Sequence, residues 1–197
     1  DAKEKRYGVA APNVWSLNTA RVVFEAADEL NAPVIFDVAG IHKLEESADA
    51  VKFYEKKFPN VVAALNLDHG GDFEEIVTAI KLGFTSVMVD RSTLSLEENI
   101  REVAEIVKIA HAVGVSVEAE LGHVGQGFEY HVTRDAGLTR KEEAVEFVKK
   151  TGVDCLAVSV GTSHGTYKGT PKLEFGLLKE LSELVEVPLV LHGGSGT

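Results

Sequence analysis

Residues 61–90, VVAALNLDHGGDFEEIVTAIKLGFTSVMVD, contain one complete strand–helix–strand pattern. Two apolar runs in it, Val61–Leu67 and Ser86–Asp90, have the length and composition of buried strands. Between them, Phe73–Leu82 repeats apolar residues at helical spacing, with Asp72 as its predicted N-cap and Gly83 just past its end. This order predicts a parallel βαβ unit.

The same alternation continues along the rest of the chain with a nearly constant period. The further predicted strands are Gly8–Ala11, Val34–Val38, Ser116–Glu120, Cys155–Val160 and Leu189–His192. The further predicted helices are Leu17–Leu30, Ser47–Lys57, Leu96–Ala112, Arg140–Lys150 and Phe175–Leu184. Ser95 and Thr139 are predicted N-caps, and Gly114 and Gly152 are predicted to close helices.

The predicted fold is an α/β (β/α)8 TIM barrel that forms a single domain over residues 1–197. A barrel is favoured over a doubly wound sheet because no glycine fingerprint follows the first strand. Such barrels have eight strands and typically occupy about 250 residues, whereas seven strands are predicted here. We therefore expect that the eighth strand and the final helices are missing, and that the chain is truncated at both ends.

Composition limits the classes of protein to which the chain belongs. Its 45% hydrophobic and 26% charged residues are typical of a globular domain with a substantial core. The net charge of −11 disfavours nucleic acid and anionic membranes as partners. No apolar segment approaches the roughly 20 residues of a membrane span, and the start, DAKEKRYG, has no signal-peptide core. A single cysteine, Cys155, excludes an intrachain disulfide, so we expect a soluble, cytoplasmic protein.

Three histidines follow predicted strands and are flanked by glycine. They are His69 in NLDHG, His164 in GTSHG and His192 in VLHGGSG. In a barrel of parallel strands the carboxyl ends of different strands converge on one face. One such histidine alone is more simply an ordinary hydrogen-bonded residue, but three together match the ligand set of a catalytic zinc site. We predict a Zn²⁺ site here, with Co²⁺ or Mn²⁺ as open alternatives.

Acidic residues accompany these histidines at the strand ends. Asp68 immediately precedes His69 and is predicted to act as an acid or base beside the metal. The alternative is that Asp68 caps the helix that follows. Asp90 and Glu120 end two further strands, and Glu120 is an alternative metal ligand, although a supporting hydrogen-bonding role is favoured for both.

The glycine-rich segment after the seventh predicted strand is a candidate phosphate site. In barrels, the loops after strands seven and eight frequently bind phosphate through backbone N–H groups. The segment GGSGT, residues 193–197, directly follows His192. A short Gly/Ser run is commonly only a turn, but this location favours anion binding by Gly193, Gly194 and Ser195, with Gly165 as a further amide.

Four segments together resemble the class II, zinc-dependent ketose-bisphosphate aldolases, which include fructose- and tagatose-bisphosphate aldolases. They are NLDHGGDFEEIVTAIKLGFTSVMVDRS, VEAELGHVGQG, TGVDCLAVSVGTSHGTYKGTPKLEF and VPLVLHGGSGT, in that order along the chain. The resemblance runs from APNVWSLNTARVV onward and so covers nearly all residues. It implies a TIM-barrel lyase of carbohydrate metabolism and glycolysis, with a phosphorylated sugar as substrate and a homo-oligomeric state, dimer or tetramer.

The resemblance also implies a mechanism. The enzyme would reversibly cleave fructose or tagatose 1,6-bisphosphate to dihydroxyacetone phosphate and glyceraldehyde 3-phosphate through a metal-stabilised enediolate. One Zn²⁺ would be held by His69, His164 and His192, and a monovalent cation is left open as a second ion. Asp68 would be the proton donor. Glu129, in the flexible loop expected after strand five, would serve the enediolate step. The phosphate-contacting amides would be those of Gly165, Gly193, Gly194 and Ser195.

Three positions depart from the family pattern. Asn66 stands where relatives often carry histidine, and Arg91 and Thr93 replace a common glycine and histidine. We predict that these changes affect the contacts to the second phosphate or the accepted sugar configuration. Two other functions remain alternatives: a metal-dependent hydrolase on the same fold, and a barrel that binds sugar phosphate without catalysis.

Overall fold

The structure, a computed structural model, describes residues 2–197, which fall into two compact units. The first comprises the residues up to Val89 together with Ala110–Ser116. The second comprises Asp90–Ile109 together with Val117–Thr197. The single-domain organisation stays a prediction.

The first unit is built around three parallel strands, β1, β2 and β3. Their bounds are Val34–Ala39, Ala63–Gly70 and Ser86–Val89. Its helices α1 to α4 span Ala2–Lys5, Leu17–Leu30, Leu44–Glu55 and Phe73–Lys81. The strands pair in chain order, with Val34 opposite Ala63 and Asn66 opposite Ser86. Because the strands are parallel, their carboxyl ends lie at one edge.

The second unit holds three further parallel strands, β4, β5 and β6. Their bounds are Ser116–Leu121, Cys155–Val158 and Leu189–Val190, although Ser116 itself clusters with the first unit. Helices α5 to α8 span Leu96–Ala112, Tyr130–Gly137, Lys141–Thr151 and Phe175–Leu184, and the last turn of α5 also clusters with the first unit. Glu118 pairs with Cys155 across β4 and β5, and Leu156 pairs with Leu189 across β5 and β6.

Most predicted elements are confirmed, but the first predicted strand is wrong. Helices α2, α5 and α8 begin and end at the predicted residues. In place of a strand at Gly8–Ala11, only isolated bridges join Ala10 to Val34 and Asn13 to Asp37. Pro12 has no N–H to donate and Gly8 has no side chain to pack, so a continuous ladder does not form.

A helix forms where the sequence predicts a loop, at Tyr130–Gly137. Tertiary contacts hold it. The Tyr130 hydroxyl, which is buried, donates to the Gly161 carbonyl at 3.0 Å. Arg134 Nε donates to the Lys172 carbonyl, also at 3.0 Å. These contacts outweigh the modest helix propensity of the segment YHVTRDAG.

Each unit has a core of side chains from its helices and strands. In the first, Phe24 of α2 packs on Phe36 of β1 with ring centroids 4.4 Å apart, and both are fully buried. In the second, Phe147, Leu156 and Leu181 are fully buried. Within residues 2–197, every helix is too short or too polar to cross a lipid bilayer.

The predicted helix caps have different outcomes. Asp72 is confirmed, because its side chain accepts a hydrogen bond from the Glu75 amide at 2.8 Å. Thr139 is wrong as a cap, since α7 begins at Lys141 and its first turn has no side-chain cap. The buried Thr139 hydroxyl instead donates to the Leu121 carbonyl at 2.5 Å and accepts from the Ser159 amide at 2.8 Å. It therefore joins the end of β4 to the residue after β5.

Replacing Thr139 by valine keeps the shape of the side chain but removes both buried hydrogen bonds. We expect Thr139→Val to lower the free energy of unfolding by about 1–3 kcal/mol, because a buried N–H and a buried C=O lose their partner. Urea denaturation measures the change. Thr133→Val is the matched control, because the Thr133 hydroxyl makes an exposed hydrogen bond. Equal stabilities for the two variants would contradict this interpretation.

Candidate functional site

The carboxyl end of β2 is irregular at His69. The register of β2 against β3 shifts between Leu67 and Gly70, and the backbone of His69 has a φ of 52°. For a residue with a Cβ, this left-handed conformation is unfavourable by about 1–2 kcal/mol. Such an irregularity changes the direction of a side chain at the end of a strand. The His69 side chain is 25% exposed.

Asp68, beside His69, has a defined partner in the first unit. Asn13 Nδ2 donates to Asp68 Oδ2 at 2.7 Å, and Asp68 Oδ1 lies 3.7 Å from His69 Nε2. The alternative role for Asp68 as a helix cap is wrong, because Asp72 caps α4. Sequence reasoning missed Asn13, which lies 55 residues away along the chain. The hydrogen bond from Asn13 to Oδ2 orients the carboxylate of Asp68 so that Oδ1 faces the imidazole of His69.

Asn66, one of the departures from the family pattern, belongs to a buried polar pair. Its Nδ2 donates to Asp37 Oδ1 at 3.0 Å, and both side chains are buried. Asp37 lies opposite Asn66 in the ladder between β1 and β2. The asparagine therefore provides a hydrogen-bond donor to a buried carboxylate, which is costly to bury alone.

In the second unit, His164 and His192 lie next to each other. Their ring centroids are 6.1 Å apart and their planes are inclined by 52°. The backbone fixes His164, since its amide donates to Gly125 and its carbonyl accepts from Gly127 at 2.9 and 2.7 Å. Two of the predicted ligands are thus brought together, whereas Asp68 and His69 belong to the other unit.

Glu118 is the residue in this region that sequence reasoning missed. Its Oε1 lies 2.7 Å from His192 Nε2, and both side chains are almost fully buried. The sequence SVEAEL contains a pattern that could have identified it, because Glu118 and Glu120 alternate with Val117 and Ala119. Alternation places the two carboxylates on one face of β4, and every residue after Ser116 in this strand is buried.

Glu120, the alternative metal ligand, is fully buried. Its Oε1 accepts a hydrogen bond from the Val124 amide at 2.8 Å, and its backbone carbonyl accepts from Asn99 Nδ2 at 3.1 Å. His123 Nδ1 lies 3.7 Å from the same Oε1. One carboxylate oxygen thus supports the turn after β4, and metal binding by Glu120 stays a prediction.

Glu129, the expected base of the loop after β4, lies in a short 3-10 turn. The turn spans Gly127–Glu129 and leads directly into α6. The Glu129 side chain is exposed, and Gly127 donates to the His164 carbonyl at 2.7 Å. The turn is therefore attached to the loop that carries His164. A catalytic role for Glu129 stays a prediction.

The predicted phosphate-binding residues lie in two turns of the second unit. Gly165 and Gly193 have positive φ values of 75° and 70°, and Gly193 precedes the 3-10 turn Gly194–Gly196. A Cβ on Gly193 would lie 2.6 Å from backbone atoms of Ser163, so only glycine fits. The glycines thus allow the backbones of the two turns to approach closely.

Tyr167 connects the same two turns. Its hydroxyl accepts from the Ser163 amide at 2.6 Å and donates to the Gly193 carbonyl at 3.0 Å. Burial raises the pKa of Tyr167, against the opposing hydrogen bond from Ser163, so the phenol remains protonated and able to donate. This hydroxyl therefore links the loop at Ser163 to the glycine turn.

Arg91, which replaces a common glycine, is engaged within the protein. Its Nε donates to Glu102 Oε2 at 2.7 Å and its Nη1 donates to the Asp90 carbonyl at 2.9 Å. Its side chain is 12% exposed. The guanidinium therefore links the first residues after β3 to helix α5. The predicted effect of Arg91 on substrate contacts stays a prediction.

The chain is similar to known proteins over its full length. The model of the family "Fructose-bisphosphate aldolase class-II" matches residues 1–197. A fructose-bisphosphate aldolase of Helicobacter pylori (strain ATCC 700392 / 26695) is 42% identical over 98% of this chain. A fructose-bisphosphate aldolase of Geobacillus stearothermophilus is 41% identical over 100% of the chain. The chain spans 66% of the length of the Helicobacter relative and 70% of the Geobacillus relative.

Solved structures give the same relationship. The YdjI aldolase from Escherichia coli K12 matches all of this chain and 70% of its own, with a TM-score of 0.87 and 36% identity. A putative fructose-1,6-biphosphate aldolase from Coccidioides immitis matches 98% of this chain and 70% of its own, with a TM-score of 0.79 and 30% identity. The predicted α/β barrel class with parallel strands is thereby confirmed.

The left-handed backbone at His69 predicts an unusual order of stabilities. We expect His69→Gly to be more stable than His69→Ala by about 1 kcal/mol, because only glycine adopts a φ of 52° without strain. Urea denaturation of the metal-free protein measures the difference. At His164, whose φ is not positive, the matched pair should show no such advantage for glycine. The same order at both positions would rule out strain at His69.

The hydrogen bonds of the Tyr167 hydroxyl should contribute to the stability of the protein. We expect Tyr167→Phe to lower the free energy of unfolding by about 1–3 kcal/mol, because the buried amide of Ser163 loses its acceptor. Thermal unfolding followed by circular dichroism measures the change. Tyr54→Phe is the matched control, because Tyr54 packs its ring near Phe24 in the first unit. A Tyr167→Phe protein as stable as the control would refute the connection.

Proposed function

The chain belongs to the class II fructose-bisphosphate aldolase family, and we propose that the intact protein is a zinc-dependent aldolase. It reversibly cleaves a ketose bisphosphate, fructose or tagatose 1,6-bisphosphate, to dihydroxyacetone phosphate and glyceraldehyde 3-phosphate. The observation that carries this proposal is the adjacent pair His164 and His192, whose ring centroids are 6.1 Å apart beside a glycine turn. Two adjacent imidazoles offer nitrogen ligands for a metal ion, and the glycine turn offers backbone N–H groups for an anion.

The residues present fit a zinc ion. We propose His69, His164 and His192 as its ligands, because three imidazoles are a common catalytic donor set for Zn²⁺. His192 supports this fit, since Glu118 contacts its Nε2, and a carboxylate on one ring nitrogen is common in histidines that bind metal through the other. When bound, zinc would supply Lewis-acid polarisation of the substrate carbonyl.

Asp68 is proposed as the acid and base for the substrate hydroxyl. In cleavage it removes the proton from the hydroxyl next to the carbon–carbon bond that breaks, and in condensation it returns that proton to the aldehyde oxygen. The hydrogen bond from Asn13 to Oδ2 supports this role, because it holds the carboxylate in one orientation. Glu129 is proposed to serve the enediolate step. It gives a proton to the carbon of dihydroxyacetone phosphate in cleavage and removes that proton in condensation.

The backbone amides of Gly165, Gly193, Gly194 and Ser195 are proposed to bind one phosphate. Successive N–H groups around a left-handed residue form a concave anion site, and Gly193 has that conformation. Neutral amides suit a chain with a net charge of −11, where the anionic substrate needs local donors. The second phosphate is proposed to contact groups other than Arg91, because Glu102 already binds that guanidinium.

Three further properties are proposed from family membership: a role in glycolysis, a cytoplasmic location, and a homo-oligomeric state of two or four chains. The choice between fructose and tagatose bisphosphate depends on contacts to one hydroxyl group. Both substrates therefore belong in the test of function.

The test measures release of triose phosphate by the intact, zinc-loaded protein from each ketose bisphosphate. We expect a chelator to abolish release and added Zn²⁺ to restore it. Asp68→Asn should lower kcat by about 10²–10⁴-fold, because the general acid and base is lost. Asp49→Asn, on the exposed side of α3, is the matched control and should retain activity.

Two results would overturn the proposal. One is that neither substrate releases triose phosphate, and the other is release that the chelator does not affect. Liberation of inorganic phosphate in place of triose phosphate would favour the metal-dependent hydrolase.

A further inference from the structure

Glu118 is a buried carboxylate that the proposed chemistry does not use. It lies in β4, and both it and His192 are almost fully shielded from solvent. Burial of a carboxylate is costly unless charged or polar partners satisfy its oxygens. Its Oε1 is 2.7 Å from His192 Nε2, although the two residues are 74 positions apart along the chain. This contact is therefore a specific tertiary interaction.

The distance identifies the contact as a hydrogen bond. Two ligand atoms on one tetrahedral zinc ion lie about 3.4 Å apart, given metal–ligand distances near 2.1 Å. At 2.7 Å, Glu118 Oε1 and His192 Nε2 are too close to share a metal in that way. An ionised carboxylate only accepts, so the Nε2–H of His192 is the donor.

The direction of this hydrogen bond determines the tautomer of His192. With the proton on Nε2, Nδ1 carries the lone pair that a metal ion requires. Carboxylates that accept from a histidine in this manner fix the orientation of the ring and raise its basicity as a ligand. The adjacent ring of His164, with its centroid 6.1 Å away, is the second imidazole in this region.

The other oxygen of Glu118 is also placed by the sheet. Cys155 lies opposite Glu118 in the parallel ladder of β4 and β5, and its Sγ is 4.0 Å from Glu118 Oε2. A thiol is a weak donor, so this contact adds orientation more than energy. Strand pairing on one side and His192 on the other thus hold the carboxylate in a single position.

We propose that Glu118 is a positioning residue for His192: it holds the ring with Nδ1 as the metal-binding nitrogen and strengthens metal binding. This inference rests on the proposed function only in that His192 is a ligand. The effect of Glu118 on the tautomer of His192 is independent of any bound metal.

The first experiment reads that tautomer in the metal-free intact protein. Long-range proton–nitrogen NMR spectra distinguish Nε2–H from Nδ1–H imidazoles, and His192→Ala identifies the His192 signals. We expect Nε2–H in the unmodified protein and in Glu118→Gln, whose amide oxygen still accepts. In Glu118→Leu we expect a mixture of both tautomers. An Nδ1–H ring in the unmodified protein, or an unchanged spectrum in Glu118→Leu, would overturn the proposal.

The second experiment measures Zn²⁺ affinity by competition with a chelator of known affinity. We expect affinity to fall by about 10- to 100-fold in Glu118→Leu, and less in Glu118→Gln. Glu146→Gln is the matched control. Glu146 pairs with Lys150 on the exposed face of α7, so its loss should leave affinity unchanged. If Glu118→Leu fails to fold, Glu118→Gln decides, and affinity equal to the unmodified protein overturns the proposal.

Failure of the proposed function gives a different result. If His192→Ala binds Zn²⁺ as tightly as the unmodified protein, His192 is not a ligand, and the proposed ligand set is wrong. Unchanged affinity in the Glu118 variants, together with lost affinity in His192→Ala, instead refutes only the positioning role.

Discussion

Parallel hydrogen bonding between strands is the constraint on which each unit depends. In a parallel ladder all strands run in one direction, so polar residues that follow different strands meet at the same edge. In the first unit this edge carries Asp68 and His69, near the carboxyl end of β2. In the second it brings His164 and His192, which follow β5 and β6, to a ring separation of 6.1 Å. Residues far apart in sequence become neighbours without a binding motif of their own.

Burial of these polar groups brings a second requirement, because each one must find a partner inside the protein. Asn66 donates to Asp37. The Thr139 hydroxyl donates to the Leu121 carbonyl and accepts from the Ser159 amide. Glu118 Oε1 lies 2.7 Å from His192 Nε2. Each contact joins segments that are distant along the chain, so hydrogen bonds that satisfy buried groups also fix the positions of residues near the candidate ligands. Stability and the geometry of the site therefore have common physical origins.

Features with local causes were predictable from the sequence, and features with distant causes were not. Helix α2 and the cap at Asp72 follow from local patterns, and the strand-end histidines are visible from their glycine neighbours. Thr139 has the sequence context of an N-cap, but its hydroxyl bonds to residues 18 and 20 positions away. The partner of Glu118 lies even further along the chain. Local propensity carries no information about such partners.

The close approach at Gly193 has a consequence for how substrate preference can change, in evolution or in the laboratory. No side chain is tolerated at this position, because a Cβ would lie 2.6 Å from the Ser163 backbone. At Gly194 a Cβ would meet open space, and its φ is not positive. New side chains can therefore enter this turn at residue 194 while residue 193 stays invariant. Sequence diversity among functional variants should be confined to one of two adjacent glycines.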